Sequence, residues 1–370
     1  MTKKPSVFVY GYKKLNLGDD LFFTFLLSRY PHVKFVFCGK KEYKHVLKAF
    51  KNVKVVTPYS PYDLFCTVRD KFGKQKEPYM VRTADYKVLI TGSGFVEKGH
   101  DIFDGLPVAD ERLCVMGSNF GPFLSDDFVA KGRRYFAACR DVCFRDTYSQ
   151  ELFVDLPNVR RAPDIVFGSA RHRDEMRRVA VPITGAYAVI SVLSFDKRRT
   201  KDKTVGERYR AGIGQVARFL ISRGLRVVFM SFCDMENDMD TVRQLMSDPE
   251  LSQYAEAYAY DGNMKEAVAL IAHADAMVAT RFHAMVLGFS MGVKTLPIVY
   301  NPKMRNVLED LQYDGLSYTE TTVAEATEEE LTAWYESDRI VSVDCADEAG
   351  KHFAVLDEVL QHPCPERWVL

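Results

Sequence analysis

Short apolar runs separated by helix-length segments recur along almost the whole chain, and this rhythm constrains the fold more than any other feature. In the first half, Val7 to Tyr10, Val33 to Cys38, Val53 to Val56, Val88 to Thr91 and Leu113 to Met116 read as strands. Asp19 to Arg29, Glu42 to Phe50 and Asp126 to Arg140 read as helices between them. Such a βαβα alternation predicts a parallel sheet covered by helices on both faces. The pattern restarts after the polar stretch Arg171-His-Arg-Asp-Glu-Met-Arg-Arg178. Tyr187 to Val192 reads as a new first strand, Arg208 to Arg223 as a helix stopped by Gly224, and Val227 to Met230 as the next strand. Asp238 to Met246 and Met264 to Ala274 then alternate, as helices, with strands near Ala257 to Tyr260 and Ala276 to Ala279. The expected fold class is α/β: two Rossmann-like domains whose parallel sheets face a cleft. The expected division is 1–175, 176–345 and a C-terminal helix in 346–370 able to cross back to the first domain. A length of 370 residues suits two domains.

The bulk numbers exclude several classes. An apolar share of 47% with 27% charged residues is that of a soluble globular protein. Fifty acidic residues balance fifty basic ones, which argues against a nucleic-acid binder. No apolar run approaches the roughly 18 residues that span a bilayer. The opening Met1-Thr-Lys-Lys-Pro-Ser-Val-Phe-Val-Tyr10 has an apolar run of strand length, so a signal peptide is not expected. The eight cysteines are scattered, and Cys139 and Cys143 have no second Cys/His pair, so no metal site is expected. Reduced, mostly buried thiols in a cytoplasmic protein fit better.

Doubly wound sheets bind ligands at the carboxyl ends of their strands, and that rule sorts the candidate residues. Asn16-Leu-Gly-Asp-Asp20 and Gly92-Ser-Gly94 follow strands of the first half; Asp196-Lys-Arg-Arg199 and Arg281-Phe-His283 follow strands of the second. Arg281 and His283 fall at the start of a helix, where unpaired N–H groups and the dipole favour anions. A cation and a titratable imidazole there suit phosphate or carboxylate binding beside a proton transfer. The plainer alternative pairs Arg281 with a structural carboxylate. Asn16 to Asp20 reads equally as a helix cap with a glycine turn, or as a source of a base in Asp19 or Asp20. Gly92-Ser-Gly94 offers close backbone approach but lacks the rest of a dinucleotide fingerprint, and no Walker A sequence is present. Lys197-Arg-Arg-Thr-Lys-Asp-Lys203 reads either as a solvated loop or as a clamp for an anionic ligand or lipid phosphates, with Arg198 the favoured cation. Arg145-Asp-x-x-Ser149 and Ala162-Pro-Asp-Ile-Val-Phe167 read as structural: an ion pair with a cap, then an X-Pro turn into a strand, with a place for Asp164 in the cleft as the alternative.

Together these stretches resemble the polysaccharide pyruvyl transferase family. The matches are Asn16-Leu-Gly-Asp-Asp20, Thr91-Gly-Ser-Gly-Phe95, Phe144-Arg-Asp-x-x-Ser149, Ala162-Pro-Asp-Ile-Val-Phe167, Ala279-Thr-Arg-Phe-His283 and Tyr300-Asn-Pro-Lys303, in the family's order. Two departures stand out: Leu193 or Ser194 where the family often has arginine, and Ser93 where a third glycine is common. The resemblance implies a GT-B-like fold and a cytoplasmic transferase of capsule or exopolysaccharide biosynthesis, with contact at the inner membrane face as a further expectation. It would move the enolpyruvyl group of phosphoenolpyruvate onto a sugar, free or lipid-linked, forming a pyruvate ketal without any cofactor. On that basis Arg281 would hold the leaving phosphate and His283 would be phosphate ligand or general acid. Asp19 would accept the sugar hydroxyl's proton, and Lys303 and Arg198 would bind the donor carboxylate. Asn16, Gly18, Gly92, Ser93, Gly94 and Phe282 would complete the substrate surface. The competing expectations are a GT-B glycosyltransferase using a nucleotide sugar, and a non-catalytic subunit of a polysaccharide assembly complex.

Overall fold

The computed structural model describes residues 4–71, 77–98, 100–196, 204–337 and 345–370. They form two compact units. One comprises Met1–Lys13, Asp19–Ile165 and Asp347–Leu370; the other comprises Lys14–Gly18 and Val166–Ala346.

The first unit is built on seven strands: β1 (Ser6–Gly11), β2 (Lys34–Cys38), β3 (Val53–Val56), β4 (Tyr86–Ile90), β5 (Leu113–Ser118), β6 (Asp141–Phe144) and β7 (Val159–Arg161). They lie in the order β3-β2-β1-β4-β5-β6-β7, paired in parallel throughout. The central strands are mostly apolar and buried because helices cover both faces; the exception is Lys87 on β4, fully buried with its ammonium paired to Glu77 and Asp110 at 2.8 and 2.9 Å. An aromatic cluster of Phe95, Phe120, Phe136, Phe144 and Phe153 fills one side of this sheet, with ring centroids as close as 4.9 Å. Gly132 in the helix Asp126–Ala137 lets Phe120 reach that close, since a Cβ there would sit 2.7 Å from its ring.

The C-terminal residues belong to this unit. A helix at Ala346–Gly350, a 3₁₀ turn at Lys351–Phe353 and a helix at Ala354–Leu360 replace the single expected helix. Asp357 takes a forked ion pair from Arg29 at 2.8 and 2.6 Å and a hydrogen bond from Tyr30 at 2.7 Å. Trp368 stacks on Phe25 at 5.3 Å and donates from Nε1 to Thr24.

The second unit repeats the winding with six parallel strands: β8 (Tyr187–Ser191), β9 (Arg226–Ser231), β10 (Ala255–Ala259), β11 (Ala276–Ala279), β12 (Lys294–Val299) and β13 (Tyr318–Thr319). Their order is β10-β9-β8-β11-β12-β13. The helix Val205–Ser222 packs an apolar face on β8 and β9 and ends at Gly224, whose φ of +84° closes the turn into β9. Both sheets are therefore Rossmann-like, as the alternation predicts. Strands β6, β7, β12 and β13 are not among those the sequence reading identifies. β7 and β13 have only three and two residues, and β12 carries Pro297, a residue that argues against a central strand. All eight cysteines are free thiols. Among the described residues, no helix is long and apolar enough to cross a membrane.

Candidate active site

In the second unit the strand order reverses between β8 and β11, so the crevice outside their carboxyl ends is where a doubly wound sheet binds ligand. β11 ends at Ala279, Thr280 follows, and Arg281 caps the helix Phe282–Ser290 in extended conformation. That helix is buried all round, as its uniformly apolar sequence requires. The Arg281 N–H donates to Ser191 Oγ at 3.1 Å, tying the end of β11 to the end of β8. Behind it Tyr209 shares a 2.7 Å hydrogen bond with Thr280 and accepts from the Leu193 N–H at 3.3 Å.

The guanidinium of Arg281 is engaged by two carboxylates. Nε donates to Asp238 at 3.0 Å, Nη2 donates to the other oxygen of the same carboxylate, and Nη1 donates to Glu236 at 2.5 Å. Asp238 is fully buried and also accepts from the N–H groups of Phe232 and Cys233 at 3.2 and 3.1 Å. Burial pushes the Asp238 carboxyl above the usual carboxylate range, against the pull of Arg281. Burial works against the Arg281 charge too, but Asp238 and then Glu236 outweigh it and hold the guanidinium firmly cationic. Of the two sequence readings of Arg281, the structure supplies the carboxylate partners of the plainer one. An incoming anion would meet a cation already countered by two acids.

His283 sits two residues further, buried, with its ring against Gly18. A Cβ built on Gly18 would lie 1.8 Å from His283 Nδ1, so only glycine fits. Gly18 is held there by its neighbours. Its N–H donates to Asn16 Oδ1 at 3.1 Å, and the Leu17 N–H donates to the Phe232 carbonyl at 3.2 Å. Asn16-Leu-Gly18 is thus a local cap and, at once, the wall beside the imidazole. Asn301 caps the helix Pro302–Asp310 with Pro302 at its first position, which brings Lys303 back over this region. The Lys303 ammonium lies 5.5 Å from the Phe282 ring centre and 5.8 Å from that of Tyr300. Asn16, Gly18, Phe282, His283 and Lys303 are therefore gathered in one unit around the start of one helix.

The other expected residues lie elsewhere. Asp19, half-buried in the first turn of the helix Leu17–Arg29, is counted with the first unit. Arg198 and the basic run 197–203 lie outside the described residues. Gly92, Ser93 and Gly94 follow β4 of the first unit. The close approach at Gly92 is to a protein group, not to open space: a Cβ there would meet Arg145 Nη1 at 2.9 Å. Arg145 is buried, paired with Asp164 at 3.0 Å and donating to Asn119 at 2.7 Å. Asp146 caps the following helix through the Ser149 N–H. Both motifs make structural contacts there, but after Pro163 the chain runs into a 3₁₀ helix (Ile165–His172) and not into the expected strand. Ser93 is exposed.

Sequence reasoning missed Glu236, Asp238 and Phe232. The signal was available, because Cys233-Asp-Met-Glu-Asn-Asp238 follows the carboxyl end of β9 and obeys the rule that selected the other stretches. Burial pushes the Cys233 thiol up to about 12, which disfavours a thiolate nucleophile in this group. Among the described residues no cluster of three or more His, Cys, Asp or Glu is placed to hold a metal ion.

The chain is similar in fold to several solved enzymes. A glycosyltransferase from Rickettsia africae ESF-5 is 8% identical, with a TM-score of 0.52 over 98% of this chain and 100% of its own. HepE of Anabaena, in complex with UDP and glucose, is 11% identical, with a TM-score of 0.53 over 97% and 99%. A UDP-N-acetylglucosamine 2-epimerase from Rickettsia bellii is 9% identical, with a TM-score of 0.60 over 97% of each chain. At these identities the likeness is one of fold, and the fold is GT-B-like. No curated protein matches the chain. The family description polysaccharide pyruvyl transferase matches residues 16–302, from the asparagine beside Gly18 to the proline before Lys303, and the chain belongs to that family.

Proposed function

We propose that this protein transfers the enolpyruvyl group of phosphoenolpyruvate to a sugar of a surface polysaccharide or its lipid-linked precursor, closing a pyruvate ketal and releasing phosphate. The observation that carries this reading is the family match, whose two ends, Asn16 and Pro302, take in all the residues gathered around His283 except Lys303, which follows directly. The chemistry balances without a cofactor. One sugar hydroxyl adds at C2 while a proton is delivered to the methylene carbon, which becomes the methyl group. The C–O bond to phosphate then breaks, and a second hydroxyl closes the ring. One hydroxyl proton ends on the methyl carbon and the other on phosphate.

In this reading His283 is the general acid at the methylene carbon, and Lys303 meets the donor's negative charge as phosphate leaves. Arg281 is a positioning residue: held by Asp238 and Glu236, it fixes the turn that presents His283. Asp19 is the carboxylate proposed to take the acceptor proton, and Arg198 the further cation for the donor carboxylate. Phosphoenolpyruvate at a hundred times its dissociation constant should stabilise the fold by about 2.7 kcal/mol in a thermal melt. The shift should fall away in Lys303→Ala, and phosphate release should require a sugar acceptor. Stabilisation by a UDP- or GDP-sugar alone, with none from phosphoenolpyruvate with or without acceptor, would overturn the reading in favour of glycosyl transfer.

A further inference from the structure

The chain is neutral as a whole, but its charge is not evenly spread. Residues 34–71 carry nine lysines and arginines against three acids, a net +6 within a chain of net zero. This segment holds β2, β3 and the helix Pro61–Lys71, and β3 is the edge strand of the first unit's sheet. The helix buries Cys66 and packs Tyr62 against a core of Phe8, Val56 and Met80. Its other side is apolar and open. Leu64, Phe65 and Val68 are 50%, 47% and 53% exposed, and Tyr59 just before it is 85% exposed. Four of the ten large apolar side chains that the described residues leave exposed thus fall within ten positions. Scattered exposed apolar residues are normal; a cluster on one helix face marks a contact surface.

Cations flank that face. The Lys54 ammonium on β3 lies 3.2 Å from the Tyr62 ring centre, and the Arg69 guanidinium lies 5.4 Å from that of Phe65. The acids of the helix are turned to local tasks. Asp63 accepts from the Tyr59 N–H at 2.9 Å, and Asp70 accepts from the Tyr79 N–H at 2.6 Å and pairs with Arg82 at 3.6 Å. An apolar strip with a cationic border and occupied acids is the pattern of a helix that lies in an interface beside anionic headgroups. Asp63 and Asp70 lie on the same helix, but the segment around it carries a net +6, which favours an anionic surface over a mixed-charge protein partner.

We infer that the face formed by Tyr59, Leu64, Phe65 and Val68, with Lys54 and Arg69, seats the first unit on an anionic lipid surface. This goes beyond the proposed transfer reaction and does not depend on its donor or acceptor.

The test is co-sedimentation of the full chain with phosphatidylcholine vesicles, with and without roughly one-third phosphatidylglycerol. The protein should partition onto the anionic vesicles, weakly onto the neutral ones, and less as salt rises. Leu64→Ser with Phe65→Ser should lower partitioning about tenfold while the protein still unfolds in one cooperative melt, because both side chains are about half exposed in the free protein. Lys54→Glu with Arg69→Glu should lower it as much at low salt. Absence of wild-type binding would overturn the inference. So would salt-sensitive binding that Leu64→Ser with Phe65→Ser leaves intact, since charge elsewhere would then explain it. A concentration-dependent dimer broken by the same pair, in a protein that ignores vesicles, would assign the face to a second copy instead.

Discussion

Replacing Gly18 by alanine puts one methyl group where the His283 ring stands. The added carbon would lie 1.8 Å from Nδ1, 2.1 Å from Cγ and 2.5 Å from Cβ, whereas ordinary contact begins near 3.4 Å. The ring must therefore move by roughly 1.6 Å, or the loop must lift, and neither is easy with His283 buried and Leu17 bonded to Phe232. Helix propensity alone argues the other way, since alanine in place of glycine favours a helix by about 1 kcal/mol. Overpacking of a filled site costs about 1–3 kcal/mol. The expected net change is a loss of up to about 2 kcal/mol, read as a lower midpoint in urea with an unchanged slope. Activity should fall much further than stability. A displacement of about 1 Å in a reacting group is worth up to a hundredfold in rate, so Gly18→Ala should lose about two decades of kcat/KM in a phosphate-release assay with phosphoenolpyruvate and acceptor. It should approach His283→Ala, for which a loss of 10²–10⁴ is expected of a general acid. The double variant should be little worse than His283→Ala, because the alanine acts through the ring. A Gly18→Ala enzyme that is stabilised and within threefold of normal would refute the packing argument and detach the Asn16-Leu-Gly motif from His283.

Three further outcomes follow from the same geometry. Arg281→Ala leaves the buried Asp238 carboxylate without its counter-charge, which should cost about 3–5 kcal/mol in urea unfolding, and Asp238→Asn in that background should recover part of it. His352, fully buried and accepting from the Gly117 N–H at 3.3 Å, is lowered by burial to about 3. Between pH 6.5 and that value the unfolded chain binds a proton that the folded chain does not, so stability is lost as the pH is lowered, by up to about 1.4 kcal/mol per unit. His352→Asn, which keeps an acceptor for Gly117, should flatten that limb in unfolding curves taken at pH 7 and 5. Trp368→Ala removes the ring stacked on Phe25 and should cost about 3–5 kcal/mol, seen as a lower melting temperature.

The readable part of the fold was the part with strong periodicity. β1 to β5, β8 to β11 and their main helices follow from apolar runs and helix stops such as Gly224, because long buried elements leave their period in the sequence. The short edge strands β7 and β13 have too few residues to show one, and Pro297 masks β12. The helix Pro61–Lys71 escaped because Leu64, Phe65 and Val68 lie on its exposed side, which weakens the usual contrast. Within the site, the rule that ligands gather at carboxyl strand ends selected Asn16, Gly18, Arg281 and His283. It did not reveal that Gly92 is a glycine for the sake of Arg145, a contact between residues 53 positions apart in the chain.

By itself the sequence determined two Rossmann-like sheets and the family, and it pointed to the start of the helix at Phe282 as the candidate site. Those are local matters of period, cap and motif, written in consecutive residues. Only the tertiary structure decided that Gly18 and His283 are neighbours and that Arg281 is matched by Asp238 and Glu236. The reason is physical: a charge in a buried site must be countered, and which distant carboxylate does so depends on strand order, not on sequence distance.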